Sequence, residues 1–448
     1  MGRRRSPAAS RLAVNWGALS VYLLGVFLGA LDTNVIAPVF PLIERGFHIS
    51  LAWTAWTVTA YTVAYAASTV LSGAWGDRVG HARLFRWGLV AFGVASVLAA
   101  LSPVFAVFVL ARVIQGAGAG AVYPNAQAEG LHLFPLERRG TALGLFGAAF
   151  GLAAIVGPVV GGLLGQYLGW PAVFWLNAPL ALVILWVARK AGSGSAATRA
   201  VPDAWGGAGF AGFLAAALLF LMVGGSMRWA VLAAALILLG VFLRRQRQAA
   251  VPFLDSRPLS RGSGIALMIG AALIGLDMSA VVFVPTLAQR DLALSVFASG
   301  VILLPAALSG AVMAGVAGVA VDRVGARRLI IAGLLAAAAG GVLLAWPHLT
   351  MTRFLLAMVV LGLATAFTMG APLNRIGLAL YREDQTAQAL ALMAVFRSIG
   401  LAAGPILLTL ATRIHGFTGM FGLVAVASIV GATLFVFTPE TPVEVRPA

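Results

Sequence analysis

The chain has 448 residues, of which 61% are hydrophobic and only 10% are charged, and its mean hydropathy is +0.98. Soluble domains carry about 25% charged residues, so this composition excludes an ordinary soluble protein and predicts a polytopic membrane protein. The formal charge of +16 comes from basic residues dispersed between apolar segments, which argues against a nucleic-acid-binding face. The sequence contains no cysteine and therefore says nothing about disulfides.

Fourteen apolar segments are predicted to cross the bilayer, given that a spanning helix needs about 20 apolar residues. The basic N-terminus precedes an apolar run that is too long for a cleaved signal peptide, so we interpret this run as a retained first span. The eighth segment is short, but Trp229 and Arg244 flank it as interfacial residues do. The predicted spans cover residues 16–40, 52–74, 84–102, 104–128, 141–165, 171–188, 205–223, 229–243, 263–288, 296–320, 327–346, 351–373, 386–412 and 417–438.

The distribution of basic residues predicts the orientation of these spans. An even number of spans puts both termini on one side, where the connections contain 23 lysines and arginines against 5 on the other side. Cytoplasmic connections carry the excess of basic residues. We therefore expect a multi-pass protein of the plasma (inner) membrane with both termini in the cytoplasm.

An internal repeat relates the two ends of the chain. The segment GAWGDRVGHAR, residues 73–83, matches GVAVDRVGARR, residues 318–328, at six of eleven positions with an offset of 245. A Gly-Pro pair at 157–158 recurs at 404–405 with an offset of 247. Parallel repeats of this kind are typical of secondary transporters.

Two long connections rich in Gly, Ser, Pro and Arg bracket spans seven and eight, which have no counterpart in the repeat. The sequence thus predicts an all-α membrane protein with two six-helix bundles and two extra helices between them. The predicted units are residues 1–190, the N-terminal bundle; residues 191–262, a linker with the two additional spans; and residues 263–448, the C-terminal bundle.

Charged residues inside the predicted spans are candidates for function, because a charge at the centre of a membrane helix costs roughly 2.5 to 3.5 kcal/mol on insertion scales. Asp32 and Asp277 differ by the repeat offset of 245, so they occupy equivalent positions in spans one and nine. Arg112 lies in span four and Arg397 in span thirteen. Asp32 and Arg112 are both about 11 to 12 Å from the same end of their spans, at 1.5 Å per residue, so they can pair.

Several motifs together resemble the major facilitator superfamily, and specifically its fourteen-helix drug:proton antiporter branch. SGAWGDRVGHAR resembles the superfamily signature between spans two and three, and ARVIQGAGAGAVYP resembles the span-four motif with its buried arginine. GLAAIVGPVVGGLL is similar to the span-five antiporter motif. LDTNVIAPVFPLI resembles the span-one signature of the branch, although Asn34, Ala37 and Pro38 depart from it. The resemblance covers essentially the whole chain and implies the major facilitator fold.

The resemblance implies that spans one, four, nine and twelve line a central cavity. Our hypothesis is that Asp32 takes up a proton or a cationic substrate, that burial favours its neutral form, and that the approach of Arg112 favours its ionised form. This competition would couple the proton to the substrate. The alternative is a permanent structural ion pair between the two residues.

The other buried charges have more than one interpretation. Asp277 has no arginine counterpart in span twelve, so it is either a second proton or cation site or a polar residue that bonds a neighbouring helix. Arg397 either faces the cavity or has a structural partner, and we favour the structural role. Glu129, at the end of span four, is interpreted as a solvated residue.

The two DRVG connections are interpreted as conformational latches. By the superfamily pattern, Asp77 caps the start of span thirteen, and by the repeat, Asp322 caps the start of span five, because helix N-termini favour anions. Positive-inside topology accounts for part of the arginine content but not for the aspartates. The predicted latch residues are Gly73, Asp77, Arg78, Gly80, Arg83, Asp322 and Arg323.

Span five presents small residues along one face, against which another helix can press. Pro158 interrupts its backbone hydrogen bonding. The resemblance implies that this antiporter motif seals against the C-terminal bundle and limits leak, whereas generic helix packing also predicts small residues. The motif residues are Gly157, Pro158, Gly161 and Gly162.

The function expected from these observations is proton-coupled export of amphipathic, hydrophobic or cationic compounds by alternating access. The sequence shows no nucleotide-binding loop, zinc-protease motif or nucleophile elbow, so we expect no enzyme activity and no cofactor, with protons as the coupling ion. The expected partners are a small-molecule substrate and membrane lipids, with no nucleic acid, for a monomeric protein. The alternatives are a lipid exporter with a lateral opening, a proton-coupled importer, and a non-transporting sensor or intramembrane enzyme.

Overall fold

The computed structural model describes residues 15–135, 138–189, 203–249, 262–378 and 386–438, of which residues 73, 74, 77, 140, 204, 378 and 386–391 are described by their backbone only. Every regular element in these ranges is helical. The helices are α1 (Trp16–Gly46), α2 (Leu51–Thr54), α3 (Trp56–Val79), α4 (His81–Ala100), α5 (Phe105–His132), α6 (Arg139–Leu168), α7 (Pro171–Ala188), α8 (Ala204–Phe220), α9 (Met227–Gln248), α10 (Gly262–Ala280), α11 (Val284–Asp291), α12 (Val296–Val301), α13 (Leu304–Val324), α14 (Ala326–Ala345), α15 (Met351–Thr368), α16 (Ala371–Leu378) and α17 (Thr386–Val436). A 3₁₀ turn, Val281–Phe283, joins α10 to α11.

Eleven helical segments in the described part of the chain are long and apolar enough to cross a membrane. One of them, Leu392–Val436, contains non-helical backbone at His415 and Gly416, so α17 consists of two helices joined by a kink. The helix α3 is not among the eleven, and α8 is a shorter apolar helix. The predicted count of fourteen crossings therefore stays a prediction, whereas the multi-pass, all-helical architecture is confirmed.

Successive long helices alternate in direction, so the bundle has two ends. We call one end the Glu44 end; α1 and α6 finish there, and α5 and α7 begin there. We call the other the Gly80 end; it holds the connection between α3 and α4 and the starts of α1 and α6. The charge asymmetry of the sequence assigns most basic connections to the Gly80 end.

The internal repeat is visible in the backbone conformation. Gly80 and Gly325, 245 residues apart, have φ of 97° and 93°, a region that favours glycine because it has no Cβ. His48 and Ala293, again 245 apart, are non-glycine residues with φ of 53° and 51°. Two residues after each of these, Ser50 and Ser295 accept a backbone hydrogen bond at the start of the following helix. Both halves therefore build the same loops at equivalent places.

Helix packing repeats as well. In the first half, the Cβ position of Gly157 in α6 would lie 2.6 Å from Cβ of Asn34 in α1. In the second half, the Cβ position of Gly404 in α17 would lie 2.9 Å from Cβ of Ser279 in α10. Asn34 and Ser279 are 245 residues apart. The first and fifth helices of each half thus approach closely through small residues, as membrane helices do.

The extra pair α8 and α9 packs beside the seam between α3 and α17. Phe210 and Leu214 of α8 line a small cavity together with Val63 of α3 and Val395 of α17. The indole Nε1 of Trp56 lies 3.0 Å from the sulfur of Met222, just beyond the end of α8. Helix α8 therefore packs where the two halves meet, and α9 packs against α8.

The two halves are in contact at the Glu44 end. The Gln289 amide donates to the carbonyl of Pro38 at 2.9 Å, and Arg290 pairs with Glu44 at 2.9 Å. The amide N–H of Phe297 donates to the Gln166 side chain at 2.9 Å. The ring of Phe40 packs edge-on against that of Phe283, with 5.4 Å between centroids.

Toward the Gly80 end, α6 and α13 border open space among the described atoms. Ideal Cβ atoms at Gly144, Gly147 and Gly151 of α6 would meet open space among the described atoms, and so would those at Gly315 and Gly318 of α13. The conformation is therefore closed at the Glu44 end, with open space beside α6 and α13 toward the Gly80 end.

Candidate functional site

Asp32 lies at the centre of a polar cluster sealed within the first half, and its side chain is fully buried. Arg112 Nη1 donates to Asp32 Oδ2 at 2.7 Å. Gln115 Nε2 and Asn177 Nδ2 both donate to Asp32 Oδ1, at 2.9 and 2.7 Å. The cluster joins α1, α5 and α7, and Ser96 of α4 accepts a further bond from Gln115 at 2.8 Å.

Arg112 is as deeply enclosed as its partner, with 1% of its side chain exposed. Its Nε donates to the backbone carbonyl of Thr57 at 3.0 Å, and Nη1 also contacts Oε1 of Gln115. The guanidinium carbon stands 4.4 Å from the ring centroid of Tyr61 and 5.6 Å from that of Phe174. Desolvation of the charge is thus offset by an ion pair, hydrogen bonds and cation–π contacts.

The predicted pairing of Asp32 with Arg112 is present in the structure. All three contacts to Asp32 come from donors, an arrangement that a carboxylate anion accepts fully. Sequence reasoning missed Gln115, Asn177 and Ser96. Gln115 carried a usable signal, because it lies three residues after Arg112 and therefore on the same helix face; Asn177 is a polar residue in an otherwise apolar span.

Asp277 is held inside the second half rather than facing lipid. Ser428 Oγ donates to Asp277 Oδ2 at 2.8 Å. Asp277 Oδ1 is buried and has no hydrogen-bond partner among the described residues. Asp277 lines a small cavity with Thr365 and Thr368 of α15 and Ala337 of α14. Like Asn177 for Asp32, Ser428 comes from the sixth long helix of its half.

Arg397 of α17 lies between the two halves. Its Nη1 is 3.4 Å from the sulfur of Met369. It is also close enough to Tyr65 of α3 and Tyr123 of α5 to interact with them electrostatically. The structure thus places Arg397 between helices of both halves, and the structural role favoured from the sequence stays a prediction.

The latch residues lie at the Gly80 end. Asp322 forms an ion pair with Arg375 of α16, and α6 begins without a side-chain cap, so the expectation that Asp322 caps span five is wrong in this conformation. The reason is the separation of α6 and α13 at this end, which leaves Asp322 exposed to solvent and to Arg375. Arg78, Arg83 and Arg323 are exposed, whereas Gly73 and the side chain of Asp77 lie outside what the structure describes beyond the backbone.

Glu129 is buried, so the interpretation of it as a solvated residue is wrong. Its Oε1 accepts a hydrogen bond of 3.0 Å from the backbone N–H of Ala82, at the start of α4. Nearby, Asn125 contacts the ring of His81 at 2.8 Å. A carboxylate at a helix N-terminus satisfies a free N–H group and the helix dipole. Glu129 therefore anchors the connection after Gly80 to α5.

The antiporter-motif glycines contact both halves. The Cβ positions of Gly157 and Gly161 are occupied by α1, at Asn34 and at the backbone of Val35. Gly162 instead faces α12, where its Cβ would lie 3.0 Å from Cα of Phe297. The carbonyl of Pro158 contacts Gly300, also in α12. The expected contact with the C-terminal half thus involves Gly162 and Pro158, whereas Gly161 packs within its own half.

Comparison with known proteins agrees with this architecture. The family model described as Major Facilitator Superfamily matches residues 22–373 and, in a second match, 265–448. The puromycin resistance protein pur8 of Streptomyces alboniger is 32% identical over 414 residues, covering 88% of this chain and 81% of that protein. The tetracenomycin C resistance and export protein of Streptomyces glaucescens is 31% identical over 356 residues, covering 75% of this chain and 64% of that protein.

Two further similarities extend along most of the chain. An uncharacterized MFS-type transporter of Bacillus subtilis (strain 168), YfiU, is 28% identical over 413 residues, covering 87% of this chain and 78% of that protein. A crystal structure of the peptide transporter POT in complex with sulfate aligns with a TM-score of 0.72 over 94% of this chain and 93% of that chain. At 18% identity, this likeness concerns the fold alone. The chain belongs to the Major Facilitator Superfamily and is a membrane transporter rather than an enzyme.

Proposed function

We propose that the protein exports amphipathic or hydrophobic compounds in exchange for protons, by alternating access. Among its relatives, one is named a puromycin resistance protein and another a tetracenomycin C resistance and export protein. These names support export of small organic compounds. The Glu44 end would face outward and the Gly80 end the cytoplasm, with both termini cytoplasmic in the plasma membrane, as the excess of basic residues favours.

The observation that carries the proposal is the sealed Asp32–Arg112 pair. Ionisable residues inside a membrane bundle commonly mark the pathway of a substrate, an ion or a proton; a permanent structural ion pair is the alternative role. In the conformation described, Asp32 is saturated by donors. Uptake of a proton from the outward-facing side would release Arg112 from Asp32, and loss of that proton to the cytoplasm would restore the contact.

Asp277 would provide a second proton site. It has one oxygen buried without a partner, which is the arrangement that a protonated carboxyl or a bound water would complete. Two equivalent carboxyl groups, one in each half, would then titrate in alternation as the halves rock. The alternative role, a hydrogen bond that only joins α10 to the second part of α17, uses the same Ser428 contact.

The remaining features of the proposal concern architecture. The chain would cross the membrane fourteen times as a monomer, with bundles at residues 1–190 and 263–448 and an intervening pair within 191–262. The DRVG connections would act as latches that form when the Gly80 end closes. In the present conformation, with that end open, the pairing of Asp322 with Arg375 is consistent with a released latch.

Proton-coupled transport is tested in proteoliposomes with an imposed pH gradient, using puromycin, tetracenomycin C and ethidium as probes. We expect substrate movement against the direction of proton flow for at least one probe, loss of gradient-driven transport in Asp32→Asn, and partial activity in Asp32→Glu. Thermal melting of each variant in detergent controls for folding. Full gradient-driven export by Asp32→Asn would rule out the coupling role. The same assay with Asp277→Asn decides whether Asp277 changes the proton stoichiometry or only stability.

A second candidate function is export of a lipid or lipid-like metabolite through a lateral opening. The open space beside Gly147 of α6 and Gly315 of α13 favours it, because an inner-leaflet lipid could enter there. Fluorescent phospholipid movement in the same proteoliposomes separates the two functions. Lipid movement without any flux of the three drug probes would favour the second.

A further inference from the structure

A cluster of polar side chains crosses the seam between the two halves. The hydroxyl of Thr59 in α3 donates to the carbonyl of Ala402 in α17 at 2.8 Å. The helices run antiparallel from this contact, so Tyr65 and Arg397 both lie about 8 to 9 Å further toward the Gly80 end, at 1.5 Å per residue. On α5, the Cβ position of Gly120 would lie 2.5 Å from the Tyr65 carbonyl oxygen, and Tyr123 lies three residues further along the same helix face. Both phenol groups are close enough for the Arg397 charge to act on them. Contributions from α3, α5 and α17 thus converge on one place.

The cluster has more hydrogen-bond donors than acceptors among the described residues. The Arg397 guanidinium has five N–H donors, and the contact recorded for it among the described residues is the sulfur of Met369, a weak acceptor. Tyr123 already accepts a bond of 3.0 Å from Gln127, which leaves its own O–H free to donate. The ring of Tyr65 stacks on Tyr61 with 6.1 Å between centroids, so an aromatic surface adjoins the donors.

The intramembrane carboxylates do not neutralise this arginine. Asp32 is bound to Arg112 within the first half, and Asp277 is held by Ser428 in the cavity of the second half. Among the described residues, no carboxylate forms an ion pair with Arg397. The space between the halves therefore carries a positive charge at the level of the cluster, which repels cationic ligands and attracts anionic ones.

We propose that Arg397, Tyr65 and Tyr123 form a subsite for the carboxylate or phenolate group of an aromatic export substrate. The guanidinium pairs with the anionic oxygen, the phenol hydroxyls donate to it, and the partly exposed ring of Tyr65 contacts the aromatic body. The exported compounds are then acidic aromatics rather than lipophilic cations. The claim that such compounds are exported rests on the proposed export function. The claim that they bind at Arg397 does not depend on it.

The test uses three probes that share the dansyl fluorophore but differ in charge: dansylglycine, an anion; dansylamide, which is neutral; and dansylethylenediamine, a cation. Fluorescence titration of the purified full-length protein in detergent gives their affinities at neutral pH. We expect the anion to bind most tightly, the neutral probe less tightly and the cation most weakly. Arg397→Gln should weaken dansylglycine about tenfold or more, the effect of losing a charged hydrogen bond, and leave dansylamide within about twofold. Arg397→Lys should retain part of the preference.

The matched control is Arg413→Gln, which removes one positive charge from an exposed position near the Glu44 end of the same helix. It should leave the order of the three affinities unchanged. Tyr65→Phe and Tyr123→Phe should each weaken dansylglycine selectively by a few-fold. The subsite is refuted if Arg397→Gln lowers all three affinities equally or lowers none of them. It is also refuted if the cation binds best to the unsubstituted protein.

The subsite and the export mechanism can be refuted separately. Charge-selective binding without proton-driven flux of any probe would refute the proposed export mechanism and leave the subsite standing. Proton-driven export of ethidium but not of dansylglycine, together with unselective binding, would refute the subsite and leave the export mechanism standing. Melting temperatures of all variants identify any that do not fold, and in that case Arg397→Lys and the two tyrosine variants carry the test.

Discussion

At the scale of single residues, the buried ion pair depends on its neutral neighbours. Asp32 and Arg112 are almost completely removed from solvent, and desolvation of two charges costs several kcal/mol for each ion. The amides of Gln115 and Asn177 complete the coordination of the carboxylate. Removal of one charge should therefore lower the free energy of unfolding more than removal of both, because the remaining charge keeps its desolvation cost without its partner.

We predict that Arg112→Gln lowers the free energy of unfolding by roughly 3 to 5 kcal/mol, the range for a buried charge that loses its partner. The double variant Asp32→Asn/Arg112→Gln should recover a large part of this loss, because no uncompensated charge remains. Reversible unfolding in mixed detergent, or the melting temperature where unfolding is irreversible, measures both. A double variant as unstable as the sum of the two single variants would show that the charges do not stabilise each other.

The sequence was sufficient to predict the ion pair but not its surroundings. Depth along two spans brought Asp32 and Arg112 to one level, whereas the contact of Asn177 depends on how α7 is rotated against α1, which hydropathy does not specify. Glu129 was misinterpreted for a related reason. It lies near a span end, where solvent is the default, and only the close packing of α4 on α5 makes it a cap for Ala82.

At the scale of helices, the small-residue face of α6 changes partner along its length. Near the Glu44 end, Gly161 packs against the α1 backbone and Gly162 against α12. Toward the Gly80 end, Gly147 and Gly151 meet open space. The small-residue face of α6 is thus a fixed contact with α1 near the Glu44 end and an unoccupied surface toward the Gly80 end. The unoccupied part leaves room for the second half to rock against the first.

We predict opposite effects for two identical substitutions on this helix. Gly161→Ala places a methyl group against the Val35 carbonyl and should cost about 1 to 3 kcal/mol, as overpacking does. Gly147→Ala adds the same methyl in open space and should be neutral or stabilising by up to about 1 kcal/mol, because alanine favours the helix. Melting temperatures in detergent compare the two. Equal destabilisation by both would contradict the packing described for α6.

The repeat was the most reliable guide to helix arrangement. The offset of 245 that relates Asp32 to Asp277 also relates Gly80 to Gly325 and Ser50 to Ser295 in their backbone roles. Side-chain contacts follow it less closely. Asp322 was expected to mirror the capping role of Asp77, but the open Gly80 end leaves it with Arg375. A sequence specifies the elements of both conformations and does not specify which one is occupied.

At the scale of the whole molecule, the contacts that close the Glu44 end include a few polar ones between the halves, beside ring and helix packing. Gln289 bonds the Pro38 carbonyl and also the hydroxyl of Ser299 at 2.8 Å. The Arg290–Glu44 pair is 47% and 19% exposed, so it is worth about 0.2 to 1 kcal/mol at most. Such weak contacts suit a gate, because a transporter must reverse them in each cycle.

We predict that loss of Gln289 shifts the population toward a conformation open at the Glu44 end. The chain has no cysteine, so a single introduced thiol reports on its own surroundings. Ser299→Cys is buried at the closed gate and should react slowly with N-ethylmaleimide in detergent, where both ends are accessible. Gly147→Cys lies in open space and should react fast.

Addition of Gln289→Ala should accelerate labelling of Ser299→Cys and slow that of Gly147→Cys, because one equilibrium governs both ends. Glu44→Gln should act in the same direction by a smaller factor, about 1.4- to 5-fold for 0.2 to 1 kcal/mol. If Gln289→Ala accelerates Ser299→Cys but leaves Gly147→Cys unchanged, the substitution only loosens the gate locally. The two ends would then open independently, and alternating access would have to be controlled elsewhere than at these contacts.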